Sequence, residues 1–219
     1  MNIKYIILRY FLPLVVCFFG LSFINMIPAV QQTYYPFFEK ISLAALKNSQ
    51  PNMYFKAKKG TEQDPNDANK VTLLFNSNST LKKEMKRAKA TGTQGNYKYA
   101  GFVLALDETF IAPLIFFFSL LLITPGKWSK KLLGFIIGTA LVLGFTYLTV
   151  RFKGLHLVAE SGVSDVAYSP NELKAAKLLH FALSSVTSIT VVLLVWILVS
   201  FRKSDLKNLF PNYNTQSPA

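Results

Sequence analysis

The chain has 219 residues, 51% of them hydrophobic and only 16% charged, with 24 Lys and Arg against 11 Asp and Glu for a net charge of +13. That is more apolar and less charged than an ordinary soluble domain. One cysteine, Cys17, leaves no intramolecular disulfide to form, and two histidines with one cysteine assemble no conventional metal site, so neither a metal nor another cofactor is expected.

The apolar residues are concentrated in four stretches, 10–30, 99–124, 132–150 and 178–201. Each is close to the roughly 20 residues that a hydrocarbon core requires. They predict an α-helical polytopic membrane protein with four transmembrane helices and a small α+β extramembrane insertion between the first two. Residues 1–30 form a tail and the first helix. Lys4 and Arg9 flank it as they would a secretory signal, but its apolar run exceeds the roughly 7–15 residues of such a signal and the cleavage candidate at 27–30 is poor. It reads as an anchor.

Residues 31–98 read as the insertion. Phe37, Phe38, Ile41, Ala45 and Leu46 lie near one helical stripe in 34–46; this helix suits either the headgroup zone, given its aromatic start, or the core of the insertion. Residues 53–57 and 71–75 read as strands separated by the turn-forming run 60–69. Ser79 or Thr80 can cap a basic helix over 81–90, followed by a Gly-rich turn at 91–96. Residues 31–100 hold twelve Lys and Arg against five Asp and Glu. Lys82, Lys83, Lys86, Arg87 and Lys89 are candidates for contact with anionic lipid headgroups or an acidic envelope partner, or form a solvated helix face. No nucleic-acid motif accompanies them, so nucleic acid is not expected.

Residues 99–201 carry helices two to four, with a cytoplasmic turn at 125–131 and an outer loop at 151–177, before a tail at 202–219. Lys4, Arg9, Lys127, Lys130, Lys131, Arg202, Lys203 and Lys207 outnumber Arg151, Lys153, Lys174 and Lys177, which puts both termini on the cytoplasmic side of a cell (inner or plasma) membrane. Asp107 and Glu108 interrupt the second apolar stretch. Ionised carboxylates at membrane depth are costly and face a protein interior or a wet cavity. With this topology they share one leaflet with Arg151, Lys153 and His180. The acids fit an internal ion pair that fixes helix packing, or a ligand, proton or catalytic site; adjacent helical positions diverge by about 100°, so both cannot face one partner. His180, Ser184, Thr187 and Ser188 follow helical spacing on the fourth stretch, and the hydroxyl residues mark a helix-packing surface.

No GxxxxGK[ST], GxGxxG, HExxH, CxxC or GxSxG pattern occurs, and a non-enzymatic membrane protein acting through other membrane proteins follows, as a subunit or accessory of an envelope assembly, export or sorting system. Transport through an outer-leaflet polar site is the alternative. A helix with its active position near the outer face, the turn PGKWSKK at 125–131, a helix ending in Arg151 and a helix bearing His180 resemble the closing helices of the exosortases and archaeosortases over residues 101–199. The resemblance implies a membrane transpeptidase with a Cys, Arg and His set, in which Arg151 and His180 fill two roles. Asp107-Glu108-Thr109 stands where the cysteine is expected, so that covalent chemistry has no nucleophile.

Overall fold

Two prolines and a run of strands divide this chain differently from its hydropathy. In the computed structural model, residues 10–61, 69–92, 99–125, 127–163, 169–183 and 185–200 are described, with the side chains at 180, 185 and 186 outside that description. The flanking Lys4 and Arg9, the middle of the 60–69 turn, most of the 91–96 turn, Ser184 and the 202–219 tail with its cations lie outside the described residues.

Helix α1 (Leu12–Asn25) ends before Pro28, which opens α2 (Pro28–Ser49). A proline disfavours helical backbone in the residue before it, and Ile27 is accordingly extended at ψ 121°. The chain bends by 84° there. Phe38, Ser42, Ala45 and Leu46 form the buried stripe of α2.

Three strands follow, β1 (Met53–Lys59), β2 (Lys70–Ser77) and β3 (Ala100–Ala105), in the antiparallel order β1-β2-β3. Phe55 pairs with Phe75, and Leu73 with Phe102. Between β2 and β3 runs α3 (Asn78–Thr91). Its cap is Ser77 rather than Ser79 or Thr80: the Ser77 hydroxyl oxygen accepts from the backbone N–H groups of Ser79 and Thr80 at 3.1 and 3.4 Å. Gly92 closes α3 in the left-handed conformation at φ 62°.

The helix expected over 99–124 is a strand at its beginning. Pairing to the central strand satisfies one edge of β3, and Gly101 leaves room for the Leu74 side chain, 2.9 Å from where a Cβ would stand. The α+β unit therefore runs on to Ala105 instead of stopping at 98. After Leu106 comes one π-helical turn, Asp107–Ile111, and then α4 (Ala112–Ile123). Pro113 accounts for that turn. It offers no N–H, and its ring crowds the carbonyl four residues back, which the wider turn relieves; the Ala112 N–H donates to the Asp107 carbonyl.

Helix α5 (Trp128–Ser161) does not end at Val150 but continues to Ser161, into the first part of the stretch expected to be an outer loop. Its buried positions include Gly134, Gly138, Val142, Thr146, Val150, Gly154 and Val158, one every fourth residue. Because a helix turns 3.6 residues at a time, this stripe drifts by about 40° per step. Its lower end faces α4 and α7 and its upper end faces α2 and the sheet. A Cβ at Gly138 would collide with the Phe117 ring, and one at Gly154 with Leu46. The fourth apolar stretch is also interrupted: α6 (Pro170–Ala182) stops at Leu183, and α7 (Ser185–Ser200) starts afresh.

Two cores result. The upper one joins Phe38, Leu46, Leu73, Leu104 and Phe110 to Val150 and Val158 of α5. The lower one joins Phe117, Leu120 and Leu121 of α4 to Val142 of α5 and Val192 and Val195 of α7, with α1 packed on α4. Among the described residues, α5 is the one helix long and apolar enough to cross a membrane alone; α1 and α2 meet that test only together, across their bend, and Thr187–Ser200 is apolar but shorter.

Candidate functional site

The π-helical turn stands where the two cores meet, and its acids point to different neighbours. Asp107 is half-buried beside α2. The Tyr34 hydroxyl there is pushed to a higher pKa by burial and then by the Asp107 carboxylate, with the Asn25 side chain pulling the other way. Tyr34, Asn25 and Asp107 thus link the end of α1, the start of α2 and the π-turn.

Glu108 is exposed on the other side of the turn and acts on Lys153 of α5. Lys153 lies beyond the apolar run 132–150, in the part of α5 that packs on the α+β unit. Burial holds its ammonium below the usual lysine range, and the Glu108 carboxylate opposes that shift. Arg151 is half-buried on α5. Two positions away from Lys153 on a helix, it points about 200° round and cannot share Lys153's partner.

The structure thus brings Asp107, Glu108 and Lys153 to one junction. His180 belongs to α6 and not to the helix carrying Thr187 and Ser188, so the polar stripe expected along one helix is split; the His180 side chain and Ser184 lie outside the described residues. Ser188 is buried at 7% exposure, and Thr187 is half-buried. His156, on α5, meets Glu160 one turn on at 3.5 Å. Among the described residues no three His, Cys, Asp or Glu side chains come together as a metal site.

Glu108 also borders a groove of about 610 Å³ between α1, α4 and α7. Phe18 and Phe19 of α1, Pro113 and Phe116 of α4, and Ser188 and Ile189 of α7 are among its walls. Phe18 meets Phe116 edge to face with centroids 6.3 Å apart, holding α1 on α4. Sequence reasoning found Glu108 and Ser188 but not the groove. Pro113 was legible in the sequence as a kink just inward of the acids, and the structure makes it the break between the π-turn and α4.

Elsewhere Lys82, Lys83, Lys86, Arg87 and Lys89 are all exposed on α3, a helix with no buried residue. α3 starts at the end of β2 remote from the π-turn, since Lys70 pairs with Ala105 and Ser77 lies seven positions on, about 23 Å at strand rise.

No known protein family, curated protein or solved structure matches the chain. The element order departs from the one behind the exosortase resemblance: 100–105 is a strand, and Arg151 lies within α5 rather than at its end.

Proposed function

We propose that this chain is a non-enzymatic, multi-pass protein of a cell membrane that acts through an acidic partner protein, as a subunit or accessory of an envelope assembly, export or sorting system. In this reading α1, α4, α5 and α7 lie in the bilayer, the α+β unit stands outside, and both termini are cytoplasmic.

Large exposed apolar side chains support the bilayer placement, because most of those among the described residues sit on helices, with Tyr54 and Val103 on the sheet: Phe11, Val16 and Phe23 on or beside α1, Leu132 and Ile136 on α5, Leu194 and Leu198 on α7. At the lower end of α5, Trp128 is 75% exposed with Lys131 5.2 Å from its ring centroid, the pairing of aromatic and cation that suits a headgroup zone. Helix α5 is about 51 Å long at 1.5 Å per residue, more than the roughly 30 Å of a hydrocarbon core, so its upper part is free to enter the outer unit.

The observation that carries the partner reading is α3, which adds nothing to the core yet displays five exposed cations on a helix that starts at the end of β2 remote from the junction with the bundle. That starting point, away from the bundle, favours an acidic protein over the lipid surface. A photo-crosslinker at Met85, 51% exposed, tests this in whole cells. The expected result is attachment to an acidic envelope protein, lost when the five cations become Gln; attachment to lipid alone, or to nothing, overturns it.

Transport is the second reading, favoured by Glu108 and Ser188 facing one groove. Neutralising Asp107 and Glu108 should then abolish flux in reconstituted vesicles while the protein still inserts, and unchanged flux eliminates it.

A further inference from the structure

We propose that the groove between α1, α4 and α7 binds an amphiphile with an alkyl chain and a primary ammonium head, the chain against Phe18, Phe116 and Ile189 and the ammonium on the Glu108 carboxylate. The volume of about 610 Å³ falls among small-molecule sites. Along α1 its walls run only from Leu14 to Phe19, about 8 Å of helix, which suits a chain end rather than a partner helix 10–12 Å across.

The head group follows from charge. Among the described residues, Glu108 is the one ionisable side chain on a lining otherwise apolar except for Ser188. A neutral head would bring no counter-charge to that carboxylate from within the groove, and an anionic head would repel it. A primary ammonium supplies both the opposite charge and N–H donors. Lys153 is not on the lining.

This site stands on the groove alone and does not depend on what α3 binds, so either proposal can fail without the other. The test is photolabelling of the full chain in mild detergent with two probes, dodecylamine and dodecanol, each carrying a mid-chain diazirine, with the labelled peptides identified by mass spectrometry. The amine probe should label α1 and α4 at least tenfold better than the alcohol. Glu108→Gln should reduce it to the alcohol's level, and Ala112→Phe, which narrows the groove without touching the charge, should weaken both. Competition then separates two sources of the same chemistry: displacement by phosphatidylethanolamine identifies a lipid, and displacement by decylamine alone a free alkylamine. Equal labelling by the two probes on the unaltered chain, label confined to other segments, or a preference unchanged in Glu108→Gln overturns the proposal.

Discussion

Phe110 and Phe117 lie close together in sequence yet serve cores of different construction. Phe110 is fully buried and stacked on Phe38 with centroids 4.3 Å apart, among large aliphatic side chains from a helix, a sheet and α5. Phe117 is equally buried, but its ring occupies the space that Gly138 leaves by having no side chain. One core is filled by bulk. The other seats a ring directly on a glycine, with the Trp196 indole N–H donating to the Thr124 hydroxyl at 2.8 Å. On the membrane reading proposed above, the first is how water drives a chain together and the second is how helices associate within a bilayer.

The sharpest way to break that comparison is to truncate both rings. Phe110→Ala should cost about 3–5 kcal/mol, the usual range for a buried phenylalanine, with Phe117→Ala costing clearly less because lipid or detergent tails replace part of what is lost. Denaturant unfolding in a single detergent measures both, and equal losses would mean that the lower core is also driven by water. Next in size, Gly138→Leu should destabilise by about 1–3 kcal/mol through overpacking against Phe117. Gly20, with nothing within 4 Å of its Cβ position, should accept the same change without loss in a thermal melt.

Smaller effects belong to the outer unit. Ser77→Ala removes the α3 cap and should cost about 1 kcal/mol. The loss should stay in α3, visible as faster amide exchange there and unchanged exchange in β2, because α3 buries nothing. Least of all is a pH effect at α6, where Ser169 and Glu172 cap one another. The Ser169 backbone N–H, and then its side chain, hold the Glu172 carboxyl below its usual 4.5, so folding favours the ionised form. That contribution is present above pH 4.5 and disappears as pH falls through the lower folded value. Amide exchange in the first turn of α6 should accelerate over that window, whereas Glu172→Gln should show no such step.

The sequence made β1 and β2 legible because both alternate or run apolar between turn-forming residues, and it made the stripe of α2 legible through its spacing. It hid β3, because Ala100–Ala105 enters the apolar run of α4 with no turn residue between them, and only pairing to β2 decides its conformation. The upper part of α5 was hidden for the opposite reason. Arg151 and Lys153 look like the flank of a span, while the fourfold spacing that carries the helix on to Val158 passes through Gly154, which hydropathy hardly weighs. Of the junction, the acids were visible by their cost in an apolar run; Tyr34 and Asn25 were not, since nothing in their own segments singles them out.

One consequence of α5 concerns the order in which the chain is made. All three strands and α2 precede it, yet Val150 and Val158 complete their core and Gly154 lies directly on Leu46. A nascent chain that has already emitted the sheet therefore holds it half-covered until residue 158 has left the ribosome. At synthesis rates of about 5–20 residues per second, the roughly fifty residues after β3 leave this surface open for seconds. Those seconds are when the outer unit is most exposed to mispairing, and when a chaperone would have something to hold.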